Sequence, residues 1–326
     1  MKIVCFGEAL IDFLAQPGAT PDAPRAFLQY AGGAPANVAV AAARLGAQTQ
    51  FVGMLGTDMF GDFLLESLRD AGVDTSRIVR TDGANTALAF VQLDADGERS
   101  FSFYRPPAAD LLFRDAHFHE ASFADTAVFH VCSNSMTEAA IAQATLQGMS
   151  RARAAGAVVS LDLNLRPALW PEGEEPRPRL WGALLEADLV KLARSELEYL
   201  AAEMPGGEEA VVQRILDGHA RLVVVTDGAA TLQWRTRDAR GEVPSFRVRA
   251  VDTTAAGDAF VAGVLFRLAQ QRVDGATFPA FVSDPAVIAD ALRFGAAVGA
   301  LAVTRQGAFA AMPTHAEVIA LLGEPS

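Results

Sequence analysis

The chain has 326 residues, of which 51% are hydrophobic and 20% are charged, so it is long enough for one large α/β domain or two medium ones. Its formal net charge of −12 would repel a phosphodiester backbone, and no run of Lys or Arg offsets it, so we expect no nucleic acid partner. The only cysteines, Cys5 and Cys132, stand in apolar runs without metal-ligand spacing, which argues against a disulfide framework or a zinc site and favours two buried thiols.

The amino-terminal segment begins like a signal peptide, because an apolar run at residues 3–6 follows Lys2. Glu8 and Asp12 interrupt the apolar region that such a peptide needs, so we expect no export signal. No stretch approaches the roughly 20 apolar residues that a membrane-crossing helix requires. These features predict a cytoplasmic protein without a membrane partner.

Short apolar or β-branched runs alternate with longer segments of helical periodicity. The strand-like runs are residues 3–6, 127–131, 158–162, 189–192 and 222–226. This alternation predicts a mostly parallel sheet with helices on both faces. Helical segments at 37–45 and 58–71 each end at a glycine, Gly46 and Gly72, where a left-handed C-cap is needed.

Two regions, 11–30 and 86–104, break this alternation. In the second, the alternating run at 87–91 meets residues 100–104 across an Asp96-Gly97 turn. We interpret segments 12–31 and 86–106 as a small antiparallel lid sheet on one domain that spans residues 1–326. A sheet above the ends of parallel strands would exclude water from a site there. The Pro- and Glu-rich stretch 170–179 is predicted to be a surface loop.

The most informative segment is Asp252-Thr253-Thr254-Ala255-Ala256-Gly257-Asp258, followed by a helical run. Small residues that open a helix leave backbone N–H groups accessible to a phosphate. A carboxylate at such a place repels the ligand unless it accepts a proton there, which suggests that Asp258 is a general base. An ordinary helix start, with Asp258 complementing the helix dipole, explains the segment equally well.

The same segment resembles the carboxy-terminal signature of the ribokinase/fructokinase (PfkB-type) family of carbohydrate kinases. The resemblance implies a ribokinase-like α/β/α fold with Asp258 as the catalytic base. It also implies that the amides of Ala255, Ala256 and Gly257 form the anion hole and contact ATP. Many members have Gly in place of Ala255, but Ala retains the amide donor.

Two amino-terminal segments extend the resemblance. Residues 32–39 and 53–61 are similar to the family's first signature, and residues 7–12 match the Gly-Glu and Asp pattern of fructokinases. The resemblance implies that Asp12, Gly32, Gly33 and Asn37 contact the sugar. For residues 32–37 taken alone, a tight turn with a capping Asn is the favoured explanation.

A third run, Leu161-Asp162-Leu163-Asn164-Leu165-Arg166-Pro167, is also similar to fructokinases and to ketodeoxygluconate kinases. Its polar residues alternate, so the side chains of Asp162, Asn164 and Arg166 point into one crevice. Arg166 suits either the transferred phosphoryl group or the sugar, although a surface salt bridge is possible. The resemblance adds Arg105 to the residues expected to contact the sugar.

The residues expected to bind the nucleotide and the metal ions follow from the resemblance alone. Residues 191–196 are similar to the family's Asn-x-x-Glu element, with Ala193 in place of Asn. This implies that Glu196 helps to hold Mg²⁺ through water. The residues expected to contact ATP are Lys191, Glu196, Thr226, Gly228 and Gly307. Those expected to hold potassium through backbone oxygens are Asp252, Thr254, Ala302 and Gly307.

Together these features imply a kinase that transfers the γ-phosphoryl group of Mg-ATP to the primary hydroxyl of a sugar, with D-fructose as first choice and K⁺ as an activator. Kinases for 2-keto-3-deoxygluconate or ribose, and a catalytically silent sugar-binding protein of the same fold, remain alternatives. The chain has neither the G-x-G-x-x-G turn of NAD-dependent dehydrogenases nor a P-loop. The apolar lid strands suggest a homodimer formed lid to lid.

Overall fold

A computed structural model describes residues 1–16, 26–93 and 99–323. Its strands are β1 (Lys2–Phe6), β2 (Leu10–Gln16), β3 (Ala26–Gly32), β4 (Thr49–Gly56), β5 (Asp74–Thr81), β6 (Leu88–Leu93), β7 (Arg99–Tyr104), β8 (Thr126–Cys132), β9 (Val158–Asp162), β10 (Leu189–Ala193), β11 (Leu222–Thr226), β12 (Leu232–Arg235) and β13 (Arg240–Val243). Its α-helices are α1 (Ala34–Arg44), α2 (Met59–Asp70), α3 (Ala139–Ala154), α4 (Arg177–Glu186), α5 (Arg194–Ala201), α6 (Gly207–Asp217), α7 (Ala256–Gln270), α8 (Phe278–Phe281), α9 (Pro285–Ala302) and α10 (His315–Leu322).

The large sheet has nine strands in the order β13-β12-β11-β10-β9-β8-β1-β4-β5. The strands from β11 to β5 pair in parallel, and β12 and β13 add an antiparallel edge. Every residue of β8 and β9 is buried, as expected for parallel strands that are covered on both faces. The predicted mostly parallel sheet is therefore confirmed.

Helices cover both faces of this sheet, which gives three layers. In β1, Ile3 and Cys5 face a core shared with α1, α7 and α9, whereas Val4 and Phe6 face a second core shared with α3, α4 and α6. Because strand side chains alternate between faces, each central strand contributes to both cores. Cys132 is also buried, so both thiols lie where the sequence predicted.

Helix boundaries agree with most of the glycine and proline signals. Gly46 and Gly72 follow α1 and α2 with φ angles of 102° and 84°, the left-handed conformation predicted for them. The predicted loop 170–179 is wrong at both ends, because Trp170 is buried and α4 begins at Arg177. A proline in the first turn lacks only an N–H that the helix leaves unpaired, so the Pro-rich composition did not exclude a helix start.

The second sheet has the strand order β3-β2-β6-β7. The pairs β2–β3 and β6–β7 are antiparallel, as predicted, but β2 and β6 run parallel, with Ile11 opposite Leu88. The small sheet is therefore mixed, because β2 and β6 leave the large sheet after β1 and β5, which share one direction. The predicted Asp96-Gly97 turn lies outside the described residues.

Helix α9 is the one described helix that is long and apolar enough to cross a membrane by length and composition. Half of it is buried inside the protein, and it packs on α7. A Cβ atom at Gly263 of α7 would lie only 2.8 Å from the Cα atom of Gly295 in α9. The two helices approach so closely that α9 is a core helix of this fold.

Candidate active site

The predicted anion hole opens helix α7. Ala255 precedes the helix with φ +58° and ψ +14°, a left-handed conformation that costs a residue with a Cβ atom some energy. Asp258 lies in the first turn and is only 8% exposed. The first N–H groups of a helix have no intrahelical acceptor, so Ala255, Ala256 and Gly257 stand where an anion would be bound.

Asp258 contacts Asn37, a residue 221 positions away. The Asn37 Nδ2 atom donates a hydrogen bond of 2.7 Å to Asp258 Oδ2. Burial raises the pKa of Asp258 to about 7, the hydrogen bond from Asn37 opposes that rise, and the nearby carboxylate of Asp162 adds to it. A carboxyl group with this pKa exchanges a proton near neutral pH, as a general base must.

A buried ion pair lies beside the start of α7. The Lys191 ammonium group is 3.0 and 3.1 Å from the two carboxylate oxygens of Asp162. Burial lowers the pKa of Lys191, but the carboxylates of Asp162 and Glu196 outweigh it and raise the pKa above its ordinary value. A Cβ atom at Gly257 would lie 3.0 Å from Lys191 Nζ, so a residue without a side chain lets the ammonium approach the start of α7.

Glu196 joins two loops at the ends of β9 and β10. Its Oε1 atom accepts the N–H of Leu165 at 2.8 Å, and its Oε2 atom accepts the N–H of Ala193 at 2.7 Å. Burial raises the pKa of Glu196, and the charge of Lys191 opposes that shift. Ala193, which stands where the family has Asn, therefore still donates a backbone hydrogen bond to Glu196.

A cavity of about 520 Å³, a size typical of small-molecule sites, lies beside these groups. Its wall includes most residues predicted to face the nucleotide, among them Asn164, Arg166, Lys191, Glu196, Thr226, Gly228, the 255–257 segment and Asp258. Sequence reasoning missed the 245–250 loop and one face of α9. The small residues Ala296, Gly299 and Ala300 of that face, three or four residues apart from Ala296, were the available signal.

Several residues predicted to contact the sugar do not line this cavity, namely Asp12, Gly32, Gly33 and Asn37, of which Asn37 contacts Asp258. Asp12 is on β2, and a Cβ atom at Gly32 would collide with its carboxylate, so Gly32 makes room for it. Gly33 has φ +106°, and a Cβ atom there would lie 2.6 Å from the carbonyl oxygen of Glu8. The paired glycines therefore permit a tight turn at the start of α1, which positions Asn37.

Arg166 and Arg105 have opposite environments. Arg166 is exposed on the cavity wall and forms no ion pair with any described residue. Its charge acts on Asp258, whose pKa it helps to lower. Arg105 is 1% exposed and is held by Asp110, so it does not line the cavity.

The residues predicted to hold potassium lie on two adjoining segments. Asp252 accepts the N–H groups of Thr254 at 2.7 Å and Gly307 at 3.0 Å, and its own N–H donates to Val303 O, next to Ala302. Gly307 does not line the cavity; its φ is +92°, and it lies against the Tyr30 ring of β3. In the described part of the chain, no three His, Cys, Asp or Glu side chains form a metal cluster.

Residues 1–315 match the model of the pfkB family carbohydrate kinases. The chain belongs to this family. It is similar to the fructokinase of Xylella fastidiosa, solved with bound ATP, at 62% identity and a TM-score of 0.95 over 99% of this chain and 98% of that one. It is also similar to the fructokinase of Vibrio cholerae O395, solved with fructose, ADP and calcium, at 34% identity and a TM-score of 0.87, covering 98% of each chain.

Among curated family members, the chain is 44% identical to fructokinase-1 of Oryza sativa subsp. japonica over 322 residues, which is 98% of this chain and 97% of the relative. The structural similarity confirms the expected ribokinase-like fold. The similarity to fructokinases covers 98–99% of the chain, so it includes both the cavity and the segment from Asp12 to Asn37 described above.

Proposed function

We propose that this protein is an ATP-dependent fructokinase, which transfers the γ-phosphoryl group of ATP to the 6-hydroxyl of D-fructose. One observation carries the mechanism: Asp258 is buried at the start of α7, where it lines a cavity of small-molecule size and accepts a hydrogen bond from Asn37, which does not line that cavity. The similarity to fructokinases from bacteria and plants supports fructose as the acceptor.

Asp258 removes the proton of the attacking hydroxyl as the oxygen approaches the γ-phosphorus. Its pKa of about 7 leaves about half of the molecules ionised at neutral pH and makes the carboxylate more basic than an ordinary aspartate. The amides of Ala255, Ala256 and Gly257 bind the charge that develops on the phosphoryl oxygens. Arg166, exposed and without an ion-pair partner among the described residues, adds a guanidinium on the same side.

The sugar binds between the second sheet and the large one, against Asp12, Gly32, Gly33, Asn37, Asp162 and Asn164. Asp12 lies on β2, a strand of that sheet, so a contact with sugar hydroxyls would couple sugar binding to the position of segments 12–31 and 86–106. Closure of these segments as a lid excludes water that would otherwise accept the phosphoryl group. The Tyr30 ring against Gly307 already links β3 to the carboxy-terminal half.

Two metal ions fit the residues present. Both oxygens of Glu196 accept a backbone N–H, and a carboxylate has further lone pairs, so Glu196 suits a water-mediated role toward Mg²⁺. Mg²⁺ when bound neutralises charge on the β- and γ-phosphates. The segments of Asp252, Thr254, Ala302 and Gly307 are tied together by the Asp252 hydrogen bonds, which supports a potassium site built from their backbone oxygens.

We also propose a homodimer formed through the second sheet. Phe27 and Phe90 are half-buried, Tyr104 is 67% exposed, and their rings lie 5.3–5.5 Å apart on one face of the sheet. Light scattering after size exclusion should give twice the chain mass for the wild type, and Tyr104→Glu should reduce it to one chain. A monomeric wild type would refute the dimer. We place the enzyme in the cytoplasm, where ATP is available.

The decisive experiment measures ADP release from the purified protein with Mg-ATP and potassium. Fructose, ribose, 2-keto-3-deoxygluconate, glucose and tagatose are each offered to the wild type and to Asp258→Asn. Asp284→Asn serves as the matched control, because Asp284 is an exposed N-cap of α9 and Asn caps a helix as well as Asp does.

We expect turnover on fructose, unchanged in Asp284→Asn and reduced by a factor of roughly 100 to 10,000 in Asp258→Asn. Turnover on another sugar would retain the mechanism and refute fructose. An active Asp258→Asn variant would refute the base assignment. No turnover on any of the sugars would favour a silent binding protein.

A further inference from the structure

A second group of buried charged side chains lies outside the nucleotide cavity, where the second sheet joins the large one. Arg105 follows β7, and Asp110 lies in a short 3₁₀ helix at Ala109–Leu112. The Arg105 Nη2 and Nε atoms donate to Asp110 Oδ2 at 2.6 and 2.9 Å. The two residues are only 1% and 5% exposed. Such a charge-assisted pair is strong and highly directional.

A second buried carboxyl group, that of Glu8, lies near enough to Arg105 for the two charges to act on each other. Glu8 is 1% exposed, and its Oε1 atom accepts hydrogen bonds from Asn134 Nδ2 at 2.9 Å and from the N–H group of Ala34 at 3.1 Å. Burial raises the pKa of Glu8, and the charge of Arg105 opposes that rise. We call Glu8, Arg105, Asp110 and Asn134 the Arg105 cluster. Within it, Asp110 is the carboxyl group that hydrogen-bonds Arg105, and the charge of Glu8 acts on the same guanidinium.

The Arg105 cluster is continuous with the expected sugar site. The N–H group that Glu8 accepts belongs to Ala34, the first residue of α1. One turn later in the same helix, Asn37 donates to Asp258. A single helical turn therefore separates a contact of the base from a contact of the cluster, so a sugar with its reacting hydroxyl at Asp258 has its remaining groups near the cluster.

Three buried side-chain oxygens of Asn37 and the Arg105 cluster lack a hydrogen-bond partner among the described residues: Asn37 Oδ1, Asp110 Oδ1 and Asn134 Oδ1. In both asparagines the amide nitrogen faces a carboxylate, so the unpaired atom is the carbonyl oxygen. All three atoms are acceptors, and a buried acceptor without a donor is costly. A ligand that completes them must supply O–H or N–H donors.

We propose that Asp110 is a specificity-determining residue, which neutralises Arg105 so that the site selects an uncharged polyhydroxy ketose over a sugar acid. The proposal rests on the proposed function and specifies its substrate class. A neutral ketose supplies hydroxyl donors to the unpaired acceptors. The carboxylate of a 2-keto sugar acid supplies none, and it would approach Asp110 and Glu8 while the cation that could bind it is already paired.

The test compares kcat/KM for D-fructose with kcat/KM for 2-keto-3-deoxygluconate. Asp110→Asn retains the shape of the side chain but removes the carboxylate that pairs with Arg105. The double variant Arg105→Met with Asp110→Asn removes both charges. Asp115→Asn is the matched control, because Asp115 pairs with Arg151 at the surface and is 52% exposed.

We expect the fructose-to-acid ratio to fall about tenfold or more in Asp110→Asn, as the freed guanidinium accepts the carboxylate. The ratio should recover in the double variant and stay at the wild-type value in Asp115→Asn. A purely structural role for Asp110 would lower both kcat/KM values together. A folded Asp110→Asn protein with an unchanged ratio would overturn the proposal.

Circular dichroism shows whether Asp110→Asn folds. If it does not fold, the proposal is tested by the rise in Tm of the wild type with each sugar, because a ligand stabilises the state that it binds. Stabilisation by fructose but not by equimolar 2-keto-3-deoxygluconate supports the proposal, and equal stabilisation overturns it. If ribose is the sugar that is phosphorylated, the proposed fructokinase activity fails, while the same comparison with ribose still tests Asp110.

Discussion

Asp258→Asn should stabilise this protein above pH 7, because the charge of Asp258 is expensive to bury. The pKa of this carboxyl rises from an ordinary 3.8 to about 7 on folding, chiefly through burial. Since its folded pKa is raised, ionisation destabilises the folded state above pH 3.8, and the penalty grows until pH 7. The raised pKa lowers the free energy of unfolding by about 4 kcal/mol at pH 8, by about 1.5 kcal/mol at pH 5 and by almost nothing at pH 3.

Urea unfolding followed by circular dichroism at pH 5 and pH 8 measures this difference. At both pH values the free energy of unfolding of Asp258→Asn should exceed that of the wild type. We expect this excess to be about 2.5 kcal/mol larger at pH 8 than at pH 5. Asp284→Asn, at an exposed helix cap, should show no such dependence on pH. An equal difference at both pH values would refute the burial argument for the base.

Other substitutions test the neighbouring contacts. Asn37→Leu removes a hydrogen bond that lowers the pKa of Asp258, so the acid limb of the kcat/KM profile should move about 1–2 pH units higher; an unmoved limb would contradict this. Gly257→Ala places a Cβ atom 3.0 Å from Lys191 Nζ and should lower kcat about tenfold or more without loss of fold, as kinetics and circular dichroism would show. Gly295→Ala brings a Cβ atom 2.8 Å from a carbonyl oxygen of α7 and should cost about 1–3 kcal/mol; an unchanged Tm would argue against the close helix contact.

Local chemistry made much of the fold predictable. Continuous apolar runs such as 158–162 are typical of parallel strands buried on both faces, and the structure has strands there. Gly46 and Gly72 end helices because they adopt the left-handed conformation at little cost. The start of α7 at Ala256 follows from small residues and an acidic first turn, which are also local properties.

Other features depend on neighbours in space. The parallel pairing of β2 with β6 follows from the directions in which β1 and β5 run, which no short segment encodes. The pairing of Arg105 with Asp110 and its burial depend on how β7 meets the large sheet, and its predicted contact with the sugar stays a prediction. The 245–250 loop and α9 line the same cavity although about 50 residues separate them in the chain, which no short segment encodes.

The sequence by itself determined the alternating strands and helices, the small residues before Asp258 and the residue types that a phosphoryl-transfer site needs. Only the tertiary structure decided which of them meet and how they ionise. Asn37 reaches Asp258 across 221 positions, and Lys191 reaches Asp162 across 29. The physical reason is that propensity and capping act within a few residues, whereas desolvation and charge–charge interactions depend on everything packed around a group. The pKa of Asp258, on which a general base depends, therefore belongs to the folded chain.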